Sequence, residues 1–152
     1  MLVTVSSGHH IRQIQELLHE YQAMIGIDLC FQEFEQEVQS LPGKYAPPRG
    51  CLYLAVLNEI PAGCIALRPL NEVQCEMKRL YVRPAFRGRG LAKQLTERII
   101  DDARKIGYRQ IVLDTLAMMT VAQALYHSLG FREIEPYCFN PLEGVRYMGL
   151  DL

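Results

Sequence analysis

A strand-like run, Glu76-Met77-Lys78-Arg79-Leu80-Tyr81-Val82, leads into Arg87-Gly88-Arg89-Gly90-Leu91-Ala92 and then into a long amphipathic stretch. No other feature constrains the fold as tightly. The first N–H groups of a helix have no intrahelical partner, and the helix dipole places about half a positive charge there. Phosphate oxygens answer both needs. Glycines at 88 and 90 remove the Cβ atoms that would hold a phosphate away from the backbone, and they permit the left-handed angles of a tight turn. Arg87, Arg89 and Lys93 add mobile positive charge. Between Glu76 and Arg98, seven basic residues stand against Glu76 and Glu97 alone, although the whole chain carries a net charge of −1. That concentration suits a single anionic ligand, and the lack of an overall basic surplus argues against a general nucleic-acid binder.

The 152 residues fit one domain, able to bury about two thirds of its unfolded surface without disulfides or metal. No apolar run approaches the ~20 residues that cross a bilayer, and residues 1–5 alternate like a first strand instead of resembling a signal peptide. A cytoplasmic location is therefore expected. Cysteines at 30, 51, 64, 75 and 138 are odd in number and widely spaced, which reads as reduced thiols. Cys51, Cys64 and Cys75 sit in apolar runs as small buried hydrophobes.

Taken in order, Ser6-Ser7-Gly8 offers cap residues for a helix over 10–25, with Ile11, Ile14, Leu17, Leu18, Tyr21 and Ile25 on one face and Gly26 as its stop. Phe31, Phe34, Val38 and Leu41 mark a second, shorter helix. Its Glu33, Glu35 and Glu37 read as a solvated face, or as an attraction for a cationic substrate. The Pro- and Gly-rich segment 41–50 is a stiff loop. Residues 51–57 and 62–67 form a hairpin, and 75–82 a third strand. A helix over 91–106, stopped by Gly107, precedes a short strand at 110–113 and a helix over 120–129. Two final strands, over 133–139 and 146–152, flank a turn at 140–144. The hairpin followed by a strand–helix–strand crossover predicts an α+β fold with helices on both faces of a mixed sheet.

The third strand breaks its own alternation. Cys75 and Met77 share one parity, while Leu80 and Val82 share the other, so the phase slips by one near Lys78-Arg79. A β-bulge there accounts for the slip, and so does a strand covered on both faces.

Two common phosphate binders fail on detail. A nucleotide P-loop needs Lys-Ser or Lys-Thr after its second glycine, and a dinucleotide turn needs a third glycine where Lys93 stands. The chain instead resembles the GNAT superfamily of acyl-CoA-dependent N-acetyltransferases. The likeness is most specific over 76–131, where the Arg-Gly-x-Gly turn is followed at suitable spacing by Ala122-Gln123-Ala124-Leu125-Tyr126-His127-Ser128-Leu129-Gly130-Phe131. Arg87, Gly88 and Gly90 match the family turn, whereas Ala85 and Met119 depart from it at positions that often hold Gln or Arg and Asn.

The resemblance implies a three-layer αβα fold. Its mixed, mostly antiparallel sheet would have about seven strands around a central parallel pair. It implies acetyl-CoA as cosubstrate, no metal, and direct attack by a small-molecule or peptide amine. Nucleic acid and membrane are not implied as partners, and a homodimer is allowed. The backbone of Leu80, Tyr81 and Val82 would pair with pantetheine, and the pyrophosphate would lie over Arg87, Gly88, Arg89, Gly90, Leu91 and Ala92. Tyr126 matches the acid that protonates the leaving sulfur, and Glu76 the general base; each also reads plainly as a packing or strand-edge residue. The acceptor would lie near Phe31, Tyr45, Tyr137, Phe139 and Asn140. A non-catalytic acyl-CoA-binding or sensor module is the alternative function.

Overall fold

The computed structural model describes residues 1–5, 8–26 and 33–152. In chain order the elements are β1 (Leu2–Thr4), α1 (Gly8–Ile25), α2 (Phe34–Gln39), β2 (Cys51–Leu57), β3 (Ile60–Pro69), β4 (Gln74–Val82), α3 (Leu91–Ile106), β5 (Gln110–Thr115), α4 (Thr120–Ser128), β6 (Arg132–Glu133) and β7 (Arg146–Asp151). The strands form one sheet in the order β1-β2-β3-β4-β5-β7-β6. Every neighbouring pair is antiparallel except β4–β5, which is parallel across the α3 crossover.

Each face of the sheet carries its own core. On one side Leu91, Leu95, Ile99 and Ala103 of α3 and Tyr126 of α4 pack against Ile65, Leu67, Cys75, Met77, Ile111 and Leu113. On the other, Ile14, Leu17 and Leu18 of α1 and Phe34 and Val38 of α2 pack on Leu52, Leu54, Cys64, Ala66 and Tyr81. The alternation of each strand sorts its side chains between these layers. The α3 stripe at i, i+4, i+8 and i+12 does the same for the helix, and truncating a fully buried member such as Leu95 to Ala would cost about 2–5 kcal/mol. Gly107 closes α3 with N–H bonds from Gly107 to Arg104 and from Tyr108 to Ala103, the pattern of a Schellman stop.

One expectation changes. The strand expected over 133–139 is reduced to Arg132–Glu133, because Pro136 lacks the N–H a ladder needs and the segment beyond turns Tyr137 inward. The expected start of the second helix at Phe31, together with Ser6, Ser7 and Cys30, lies outside the described residues. Among the described residues, no helix is long and apolar enough to cross a membrane.

Candidate active site

The phase slip in the third strand is a bulge. Ala66 pairs with Lys78 and Cys64 with Tyr81, so Arg79 and Leu80 together oppose Ile65. Cys75, Met77, Leu80 and Val82 consequently all face the α3 side. Arg79 sits at φ 63°, a left-handed angle that costs a non-glycine residue about 1–3 kcal/mol. Its side chain is tied down in compensation. Nε and one terminal N–H donate to Glu37 at 2.7 and 3.2 Å, and the guanidinium lies 5.0 Å over the Phe34 ring.

A bulge bends its strand, and here β4 leaves β5. The two pair only from Gln74↔Gln110 to Glu76↔Val112, while β5 stays bonded to β7 as far as Thr115↔Arg146. Beyond Glu76 the β5-facing edge of β4, including Leu80, Tyr81 and Val82, has no strand partner among the described residues. The gap opens a cleft lined by Lys78 and Leu80 from β4, Asp114 and Thr115 from β5, Tyr126 from α4 and Tyr21 from α1, enclosing about 50 Å³.

Tyr126 is buried, and among the described residues its hydroxyl makes no hydrogen bond. Burial pushes its pKa up, and the nearby Tyr21 and Asp114 push the same way, so the phenol keeps its proton well into alkaline solution. Glu76, one residue before the cleft-lining Met77, is 1% exposed, with both oxygens engaged. Arg68 Nε donates to Oε1 at 2.7 Å, and the Tyr137 hydroxyl donates to Oε2 at 2.5 Å. Burial, with the Glu76 charge next, raises the Tyr137 pKa strongly.

Further along the chain from the cleft, Gly88 and Gly90 take φ 79° and 78°, as the turn requires. Gly90 caps α3 without any side-chain bond, which leaves the first-turn N–H groups available. The basic surplus divides cleanly. Arg79 pairs with Glu37, Arg83 with Glu20 at 2.6 Å, and Arg98 with Asp102 at 3.5 Å. Arg87, Arg89 and Lys93, all exposed around the turn, form no ion pair among the described residues. Arg87 reaches back to the Val82 carbonyl at 2.9 Å, and Arg89 lies 5.6 Å over the Phe86 ring.

The candidate residues thus fall into two groups. Leu80 and Tyr126 line the cleft, with Tyr81, Val82 and the 87–92 turn continuing from it along the chain. Asn140 lines it as well, and its side-chain amide donates to Asp114 at 3.0 Å. Tyr137 reaches Glu76, Tyr45 is buried in the α1/α2 core, Phe139 is 80% exposed, and Phe31 lies outside the described residues. Glu37 does more than wet a helix face, since it neutralises the buried Arg79. Asp114 and Arg68 escaped the sequence reading. An acid inside Ile111-Val112-Leu113-Asp114-Thr115-Leu116 is the signal that could have found the first.

Residues 11–131 match the model of the acetyltransferase (GNAT) family. The chain belongs to that family. A GNAT relative of similar length, an uncharacterized N-acetyltransferase of Schizosaccharomyces pombe, is 43% identical over 138 residues, covering 90% of this chain and 85% of its own. The GNAT fold recurs in an acetyltransferase of Streptococcus agalactiae at TM-score 0.83 and 23% identity, covering 100% of this chain and 98% of that one. It recurs again in a GNAT family acetyltransferase of Elizabethkingia anophelis with acetyl-CoA bound, at TM-score 0.72 and 23% identity, over 100% and 97% of the two chains.

Proposed function

We propose that residues 1–152 act as a single GNAT-like domain that moves an acetyl group from acetyl-CoA to a primary amine of a small molecule or peptide, by direct attack in a ternary complex. The observation that carries this reading is the parting of β4 from β5 at the bulge, upstream of an uncapped helix start beside three exposed cations that form no ion pair among the described residues. The main-chain edge of Leu80, Tyr81 and Val82 would bind pantetheine as an added strand. The N–H groups from Gly88 to Ala92, with Arg87 and Arg89, would hold the pyrophosphate. Main-chain N–H groups released by the bulge near Leu80 would supply the donor to a thioester carbonyl, an effect worth about 3 kcal/mol of barrier.

The amine nitrogen attacks the thioester carbon, the C–S bond breaks, and Tyr126 gives its proton to the departing sulfur. The amide nitrogen then loses its second proton and the phenol is restored. Glu76 serves indirectly: with Arg68 and Tyr137 on its two oxygens, it fixes Tyr137 and the neighbouring Lys78, and taking a proton from the amine itself would require releasing one of those partners. A cytoplasmic setting agrees with the free thiols of Cys51, Cys64, Cys75 and Cys138.

Thermal midpoints measured with acetyl-CoA, CoA and NADPH test the coenzyme. A ligand at a hundredfold excess over its dissociation constant adds about 2.7 kcal/mol of stability. Both CoA species should raise the midpoint and NADPH should not. A response to NADPH alone would return the glycine turn to a dinucleotide site, while CoA binding without transfer to any amine would favour the sensor module.

A further inference from the structure

Two ion pairs flank the inner end of the cleft and cancel: Arg79 with Glu37, and Arg68 with Glu76. Lys78 and Asp114 are left facing the cleft from the two parted strands. The Lys78 ammonium is sunk in the protein, its side chain 12% exposed, with its nearest carboxylate oxygen, on Glu76, 3.9 Å away. It donates no hydrogen bond among the described residues. Burial pulls its pKa down, with the Glu76 charge resisting, so a second anion would relieve it.

Asp114 receives the Asn140 amide at 3.0 Å and a long contact from the Cys138 thiol at 3.9 Å, and forms no ion pair among the described residues. Beside it the Thr115 hydroxyl, 4% exposed and on the lining of the same cleft, has no hydrogen-bond partner among the described residues. Buried polar groups are almost always paired, so a lysine with idle donors and an orphan hydroxyl around one cleft are groups that a polar ligand would satisfy.

Building on the acetyl-transfer reading above, we propose that the acceptor is an amine carrying a carboxylate close to its nitrogen, an amino-acid type of substrate, with Asp114 holding the ammonium, Lys78 the carboxylate and Thr115 a polar atom between them. One positive and one negative group left over after the ion pairs cancel are the complement of a zwitterion. Attack requires a neutral amine. Asp114 takes the first ammonium proton and later passes it to water. Nitrogen then bonds to the thioester carbon, the C–S bond breaks as sulfur receives the Tyr126 proton, and the second nitrogen proton restores the phenol. The products are the N-acetyl amino acid and CoA thiol, with one proton released.

The test measures thiol release from acetyl-CoA with the common L-amino acids, their carboxamides, the matching amines without a carboxyl group, and dipeptides. At least one amino acid should exceed its own carboxamide and decarboxylated amine by tenfold or more in kcat/KM. In Lys78→Met that ratio should collapse through a higher KM for the acid alone, with the KM for acetyl-CoA unchanged and the preference rescued in Lys78→Arg. Asp114→Asn should lower kcat for every acceptor. A wild-type preference for carboxamides, plain amines or dipeptides overturns the proposal whatever the variants do. So does a preference for the acid that survives in Lys78→Met, or acetyl-CoA binding without transfer to any amino acid. Absence of stabilisation by CoA would instead remove the acetyl-transfer reading beneath it.

Discussion

The two ends of the candidate site are built in different ways. The glycine turn and the start of α3 are made of backbone: N–H groups, two left-handed glycines and a strand edge, all within 17 consecutive residues from Glu76 to Ala92. The inner end is made of side chains gathered from afar, with Glu37 on α2, Arg68 on β3, Lys78 and Arg79 on β4, Asp114 on β5 and Tyr137 on the loop before β7. A backbone site tolerates side-chain change because its donors are main-chain atoms. A side-chain site of paired charges in low dielectric does not, since removing one partner strands the other. Substitutions should therefore injure stability at the inner end and coenzyme affinity at the outer end.

The largest effect is expected from Glu37→Ala. Arg79 is buried and loses its bidentate partner while held at a strained angle, so denaturant unfolding should show a loss of about 3–5 kcal/mol. A loss under about 1 kcal/mol would mean that the bulge does not rely on this ion pair. Next comes Tyr126→Phe. If the phenol is the acid, kcat should fall about a hundredfold or more while the CoA-induced thermal shift is retained. The shift matters because it separates chemistry from packing: Phe keeps the ring that packs against Phe131, 5.7 Å between centroids. Since burial raises the phenol's pKa, wild-type activity should show no loss from Tyr126 ionisation up to at least the ordinary tyrosine value near 10. An unchanged kcat removes Tyr126 from the mechanism.

A smaller effect is expected at the outer end. Arg87→Glu should weaken CoA about tenfold, and wild-type affinity should fall as salt rises, because exposed charges are screened beyond about 10 Å at 0.1 M. Titration calorimetry at two salt concentrations would check both. Equal affinity in the variant would mean that the main-chain donors bind the pyrophosphate unaided.

The same contrast explains what the sequence made legible. The strand, turn and helix around 76–106 announce themselves because their signals are local: two glycines, a 3.6-residue stripe and a parity slip that turned out to be the bulge at Arg79. The helices on both faces and the parallel pair of a mixed sheet follow from such signals added together, while the count of seven strands came with the family resemblance. The inner end has few to add. Glu37 read as a solvated helix face because its partner is 42 residues away, and Arg68 sat unremarked at the end of a strand. Nothing around Glu76 predicts that Tyr137, 61 residues on, will occupy its second oxygen. Two local signals do bear on this end: Pro136 is a legible reason to shorten the strand over 133–139, and an acid within the apolar run 111–116 points to Asp114.

Arg83 offers the finest division between the two ends. It is a cation of the same basic run as Arg87, yet Glu20 of α1 holds it through bonds of 2.6, 3.0 and 3.2 Å. If coenzyme phosphates draw only on unpaired cations, Glu20→Gln should leave CoA affinity nearly unchanged and alter acid stability instead. The hydrogen bond from Arg83 lowers the Glu20 pKa below its ordinary 4.5, with partial burial opposing and the Arg83 charge reinforcing. A depressed carboxylate adds stability above its unfolded pKa, and that contribution is lost as pH falls through the folded value. The wild type should thus be slightly more stable than the variant above about pH 5, with the difference closing below 4.5. Glu20 is 38% exposed, so screening keeps the effect within the ~0.2–1 kcal/mol of surface pairs. Midpoints taken across that range would show the convergence. A constant offset would assign the variant's loss to packing at the α1–β4 contact, and a gain in CoA affinity would show that a released Arg83 can join the outer site.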